Sequence, residues 1–223
     1  MTAAVRTYRD RHQAGAVLAQ HLSQYLDRPG TLVLALPRGG VPIALEVARF
    51  LNAPMDVFLV RKLGLPGQEE LAIGALASGG VRLLNRELIE EAGIAAREID
   101  IIAARELAEL ERREKLYRGQ RPAPEIAGRH VIVVDDGLAT GFSMRAAVAA
   151  LRRQRPAWLT VAVPVGAPET CDELADDCDA LVCPLRPSPF QAVGLWYEHF
   201  EPTSDEEVRA GLAEAASFPR GTE

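Results

Sequence analysis

Residues 131–143 read VIVVDDGLATGFS, and their order decides the fold. Val131, Ile132, Val133 and Val134 make an apolar run, the pattern of a strand buried on both faces of a parallel sheet. Asp135 and Asp136 follow at its carboxyl end, then a loop of mostly small residues, Gly137, Ala139, Thr140 and Gly141, and a helix that begins near Phe142. Small residues let backbone N–H groups converge on an anion, and a helix N-terminus adds positive potential. Thr140 and Ser143 add hydroxyl donors. Carboxylates beside an anion nest make chemical sense when they bind something neutral or cationic. Ribose hydroxyls and Mg²⁺ meet both demands.

Outward from this stretch, strands and helices alternate. Ala14, Val17, Leu18, Leu22, Tyr25 and Leu26 share one helical face, and Arg28-Pro29-Gly30 ends that helix. Residues 31–36 (TLVLAL) form a buried strand, residues 37–40 (PRGG) a loop, and residues 41–51 a helix with Pro42 in its first turn. A second strand is predicted over 55–60, a loop over 62–70, and a hairpin from 71–77 and 81–84 around Ser78-Gly79-Gly80. Residues 85–119 read as mostly helical, with Glu and Arg interleaved at three- and four-residue spacing, a solvated face with room for a second copy of the chain. Strands at 158–163 and 180–183 flank a helix at 169–177, and a last helix covers 205–216. The expected fold class is α/β, a doubly wound, mainly parallel five-stranded sheet. Ligands bind such sheets beyond the strands' carboxyl ends.

Composition narrows the function. The 223 residues suit one domain, and a net charge of −6 argues against a broad nucleic-acid footprint. Cys171, Cys178 and Cys183 are odd in number and lack paired zinc-knuckle spacing, which fits buried thiols in a cytoplasmic protein. No apolar run suits a membrane span, and no signal-peptide pattern opens the sequence. A Walker A loop would need lysine after Gly141, a dinucleotide loop G-x-G-x-x-G, and a nucleophile elbow G-x-S-x-G; none is present.

The segment resembles the phosphoribosyl pyrophosphate (PRPP) signature of type I phosphoribosyltransferases: four apolar residues, two acids, two variable residues, then A-T-G-x-S. PRGG, RKLG, REKLYRG and VDDGLATG resemble a group of that family whose base is unassigned. The resemblance spans about residues 30–200 and implies a core at 30–183, a helical insertion at 86–118, and a hood built from the chain ends. It implies that Asp135 and Asp136 hold the ribose hydroxyls, and that Ala139, Thr140, Gly141, Phe142 and Ser143 hold the 5′-phosphate. Gly39 and Gly40 would bind pyrophosphate through backbone groups. Arg38 and Lys62 would neutralise its charge, with residues 63–73 closing over the site. Gly137 departs from the family's usual aliphatic residue and is expected to loosen the loop.

The implied reaction displaces pyrophosphate at ribose C1′ through an oxocarbenium-like state, with Mg²⁺ held mainly by PRPP and reached by Asp135 or Asp136 through water. Ala139 stands where 6-oxopurine enzymes carry an aspartate, which argues against hypoxanthine and guanine. Phe190, Trp196, Tyr197 and Phe200 are candidates for stacking the acceptor base or for plain packing. His199 has no metal-spaced partner and reads as structural. A non-catalytic PRPP or nucleotide sensor and an unrelated phosphate-binding enzyme stay open, because fold does not fix function.

Overall fold

The computed structural model describes residues 7–65 and 68–218, without the side chains of 68–71. Five strands make the main sheet: β1 (Thr31–Ala35), β2 (Met55–Val57), β6 (His130–Val134), β7 (Trp158–Ala162) and β8 (Ala180–Val182). Their order is β2-β1-β6-β7-β8, and every pairing is parallel. Side chains of β1 and β6 alternate between two cores. Val33, Ala35, Ile132 and Val134 face one; Leu32, Leu34, Val131 and Val133 face the other. This is why both strands read as unbroken apolar runs.

Helices α1 (Arg11–His21), α2 (Gly40–Leu51) and α7 (Asp205–Ala215) cover the first face, and α5 (Phe142–Arg153) and α6 (Pro168–Ala175) the second. Each start has a local cause. Asp10 caps α1 by accepting from the Gln13 N–H at 2.8 Å, and Ser204 and Glu207 form a reciprocal capping box on α7. The first helix ends sooner than its periodicity predicts: residues 23–25 form a 3₁₀ turn, and Leu26 lies exposed.

The chain runs outward from β1 to β2 on one side and from β6 to β7 and β8 on the other. The direction of winding therefore reverses between β1 and β6, where a crevice opens at the strands' carboxyl ends. Ala35 pairs with Val134, so the segments leaving the two strands emerge side by side.

The predicted strand at 55–60 is two strands in different sheets. β2 stops at Val57, and β3 (Val60–Leu65) joins β4 (Gln68–Ala77) and β5 (Val81–Leu84) in a separate antiparallel sheet. Phe58 N–H still reaches Ala35 C=O at 2.9 Å. Leu59 is then captured by Ser78, which accepts from its N–H at 2.9 Å and donates its own N–H to its carbonyl. The predicted loop over 62–70 is largely β3 and β4; only residues 66–67 lie outside the described backbone. Glycine and proline there suggested a loop, but Leu63 and Ile73 bury completely and the pairing shifts register around Gly64.

The charged segment is α3 (Arg86–Glu91) and α4 (Ala96–Arg118). It does not stand free: α4 packs on β3, β4 and α7, burying Ile99, Ala103, Glu106, Leu110, Tyr117 and Arg118. Among the described residues, no helix is long and apolar enough to cross a membrane.

Arg118 fastens α4 to the sheet edge. Only 6% exposed, it donates to Asp56 at 2.9 Å, Glu114 at 3.0 Å and the Val57 carbonyl at 2.5 Å. Removing one member of a buried ion pair costs about 3 kcal/mol, because the other charge stays behind. Arg118→Met is thus expected to lower urea-unfolding stability by about 3 kcal/mol. An unchanged midpoint would show that α4 is held by its apolar face alone.

Candidate active site

The site is built where β1 and β6 end. Leu36 donates its N–H to the Val134 carbonyl at 2.8 Å, which carries the pairing one residue past β1. The Pro37–Arg38 peptide is cis, and the turn closes through Gly40 N–H on Leu36 C=O and Val41 N–H on Arg38 C=O, both at 3.1 Å. A Cβ on Gly39 would lie 2.0 Å from Asp136 Oδ2, and one on Gly40 2.7 Å from the Val134 carbonyl. The two glycines let backbone rest directly against the acids, which no other residue allows.

Asp135 accepts the Asp136 N–H at 2.8 Å. Burial pushes its carboxyl well above the usual range, and the Asp136 charge adds to the rise. Burial also raises Asp136, against the pull of Arg11. Arg11 donates to Asp136 Oδ2 from Nε at 3.0 Å and Nη2 at 2.8 Å. Tyr197 donates its hydroxyl to the Asp136 carbonyl at 2.6 Å.

The loop after the acids is braced from below. Leu138 exchanges backbone hydrogen bonds with Val165 at 2.9 Å and Ala167 at 2.8 Å, and Thr170 donates to the Ala139 carbonyl at 2.7 Å. Gly141 caps α5 at φ +72°, a left-handed conformation, and a Cβ there would meet Thr170 Cγ2 at 2.7 Å. Thr140, Phe142 and Ser143 are exposed around it, with Ala139 half-buried. The first N–H groups of any helix lack intrahelical acceptors, so the start of α5 faces the same small cavity. That cavity, about 150 Å³, is lined by Asp135, Gly137 to Met144 and Val193.

At Gly137, where a looser loop is expected, another part of the chain packs against the backbone. A Cβ there would lie 2.4 Å from Val193 Cγ1, so Val193 from the C-terminal segment fills the place of the usual aliphatic side chain. A glycine answers the close approach of a distant residue, and the sequence gives no sign of it.

Of the two cationic candidates, Arg38 is exposed on the turn, where its charge reaches Tyr117 of α4. Lys62 stands on β3 and lines a cavity of about 330 Å³ with Arg61, Arg105, Glu106, Phe142 and Ser143. Residues 63–73, expected as a closing loop, are mostly β3 and β4, with Gly64 in the wall of this cavity.

The aromatic candidates divide. Tyr197 and Phe200, with ring centroids 4.9 Å apart, pack behind the acids, and Phe200 carries the Arg11 guanidinium 3.9 Å from its ring centre. Both pack there, and Tyr197 also holds the Asp136 carbonyl through its hydroxyl. Phe190 and Trp196 stack at 6.5 Å, half-buried. His199 is exposed. The segment carrying them pairs with the other end of the chain: Tyr8 donates its N–H to Trp196 C=O and accepts from Glu198 N–H, both at 2.8 Å. Sequence reasoning missed Arg11, Thr170 and Val193, each of which acts across a separation that no local motif spans.

A phosphoribosyl transferase domain profile matches residues 5–195. The crystal structure of TT1426 from Thermus thermophilus superposes with a TM-score of 0.81 at 41% identity, over 93% of this chain and 98% of that one. A Mycobacterium tuberculosis protein, provisionally named a phosphoribosyl transferase, is 42% identical over 211 residues, 95% of this chain and 47% of the relative. The chain thus spans about half the length of the curated relatives it matches.

Two outcomes test the site. Asp135→Asn keeps the oxygen that accepts from Asp136 but removes a buried charge. Because the folded carboxyl is raised, its ionised form costs stability as pH rises above the carboxylate range. Asp135→Asn is therefore expected to be at least as stable as wild type at pH 7.5 in thermal melts, with the difference shrinking towards pH 4; a lower Tm at pH 7.5 refutes the strained-acid picture. Gly141→Val forces a β-branched residue into a left-handed cap, which costs about 1–2 kcal/mol, and drives its Cβ into Thr170. It is expected to fold yet lose phosphate or sulfate density against residues 139–143 in soaked crystals. An anion still seated there would refute the cap's role.

Proposed function

The chain belongs to the phosphoribosyl transferase domain family, and from that premise we propose that it transfers ribose 5-phosphate from PRPP to a nucleobase-like acceptor, releasing pyrophosphate. One observation carries the reading: the Gly39–Gly40 backbone, the Asp135–Asp136 pair and the start of α5 converge at the β1/β6 switch point. In this reading Thr140, Ser143 and the N–H groups of residues 139–143 hold the 5′-phosphate, and Asp135 and Asp136 accept from the ribose hydroxyls. The Gly39–Gly40 backbone receives pyrophosphate, and Arg38 and Lys62 neutralise it.

In the reaction the C1′–oxygen bond to pyrophosphate breaks and a bond from acceptor nitrogen to C1′ forms, the acceptor's N–H proton passing to solvent, with positive charge developing on the ribose between the two. The two carboxylates lie on the ribose side, where they stabilise that charge electrostatically. Cationic side chains at the leaving group favour its departure as a polyanion. The donor set suits Mg²⁺, which binds through one or two carboxylates, substrate phosphates and retained water. Asp136 has one oxygen committed to Arg11, so Asp135 and the other Asp136 oxygen would reach the ion through water. When bound, the ion would neutralise pyrophosphate charge. Free thiols and the absence of a long apolar helix among the described residues accord with a cytoplasmic enzyme.

Calorimetry with PRPP and Mg²⁺, followed by a nucleobase panel scored by pyrophosphate release, tests the proposal. Binding with turnover on one base supports it, binding without turnover identifies a sensor, and no binding at millimolar PRPP removes it. Arg38→Ala is expected to lower turnover at least about tenfold, a loss of about 1.4 kcal/mol. It should leave the affinity for the nucleoside 5′-monophosphate product nearly unchanged, since that product lacks pyrophosphate. Equal losses in both would place Arg38 outside the leaving-group site.

A further inference from the structure

We propose that Arg11 is a positioning residue that seats Asp136 and, through it, the Gly39–Gly40 turn; the ribose and pyrophosphate roles of those groups rest on the function proposed above.

Arg11 lies in the first turn of α1, 125 residues from Asp136 in sequence, and its side chain is only 11% exposed. Its guanidinium is held on every side. Nε and Nη2 both donate to Asp136 Oδ2, Nη1 donates to the Glu201 carbonyl at 2.7 Å, and its face lies on Phe200. Asp136 is fixed as fully: its N–H goes to Asp135, its carbonyl accepts from Tyr197, and Oδ2 takes Arg11. Gly39 rests on that same oxygen, with a notional Cβ 2.0 Å from Oδ2 and 3.4 Å from Arg11 Nε.

The geometry has a directional consequence. By taking Oδ2, Arg11 turns that oxygen beneath the turn and leaves Oδ1 as the one able to accept from a ligand. Without the guanidinium, two adjacent carboxylates in a poorly hydrated wall repel each other. Asp136 would rotate towards solvent, and the backbone of Gly39 would lose the surface it rests on. A lysine supplies the charge but cannot engage Oδ2 twice, reach Glu201 and lie flat on a ring at the same time. Arg11 touches no reacting atom in this arrangement; it acts through Asp136.

The experiment uses the full chain with Arg11→Met, Arg11→Lys, Asp136→Asn and the Arg11→Met/Asp136→Asn double variant. Ligand-free hydrogen exchange in Arg11→Met is expected to rise about tenfold in peptides covering 36–41 and 134–138, with peptides of 158–162 and 180–182 unchanged. PRPP affinity, measured calorimetrically with Mg²⁺, is expected to fall about tenfold in Arg11→Met and less in Arg11→Lys. Adding Arg11→Met to Asp136→Asn should cost little more, because residues acting as a unit are non-additive. Unchanged exchange at 36–41, a uniform rise in all peptides, or fully additive affinity losses each overturn the proposal. If wild type binds no PRPP, the functional reading fails and the exchange measurement alone decides the role of Arg11.

Discussion

Two adjacent carboxylates enclosed at the end of a buried strand form an arrangement that a fold avoids unless something holds it. Burial raises the proton affinity of both, and the Asp136 charge raises that of Asp135 further. The surrounding structure supplies the compensation: the Asp136 N–H on Asp135, the Tyr197 hydroxyl on the Asp136 carbonyl, and a guanidinium on its carboxylate. These groups come from β6, the C-terminal segment and α1, so both ends of the described chain converge on one pair of side chains. The Tyr8–Trp196–Glu198 backbone pairing reads in this light as what keeps Arg11 and Tyr197 in reach of the same acid.

The sheet topology sets where that convergence can happen. In the described five-stranded sheet the winding reverses between β1 and β6, and there two loops open into one crevice. Gly39 and Gly40 let the β1 loop press against the β6 acids, and Gly141 lets the next turn bend into α5 at positive φ. Gly39 and Gly40 serve the approach of backbone to carboxylate and to backbone, and Gly141 a left-handed turn against the Thr170 methyl. Thr170 and Val193 then close the loop from beneath and from the side, so its shape is imposed by tertiary contacts as much as by its own residues.

This division explains what could be read from the sequence. The five main strands, the order of the helices and the small-residue loop between β6 and α5 all rest on local patterns, namely apolar runs and small residues at a strand-to-helix turn, and these were legible. The split of 55–60 was not, because Phe58 and Leu59 are as apolar as their neighbours and the break is made by Ser78, 19 residues away. The hairpin of residues 71–77 and 81–84 was legible, but β3 and the start of β4 were hidden by Gly64, Pro66 and Gly67, whose turn signal outweighed the strand pattern. Gly137 was seen as an oddity, but its cause, Val193, belongs to another part of the chain. Arg11 carried no signal at all: in sequence it is one more arginine beside a helix cap.

The charged helix α4 shows that one such signal was available. Ile99, Ala103, Glu106, Leu110 and Tyr117 recur at three- or four-residue steps or their sum, which is the buried stripe of a helix, and a glutamate sits within it. A glutamate in an apolar stripe demands partners. Arg61 meets Glu106 with Nε at 2.9 Å and Nη2 at 2.5 Å, and Arg105 adds a contact at 3.1 Å. Glu106 thereby fixes Arg61, the residue before Lys62, at the wall of the cavity that Ser143 also lines. The interleaved Glu and Arg of α4 are therefore of two kinds. Glu109 with Arg112 and Arg113 is a surface array that salt would screen. Glu106 points inward and orders the cationic strand β3 beside the start of α5. The helix that resembles an appendage is thus part of what gives the site its charge distribution.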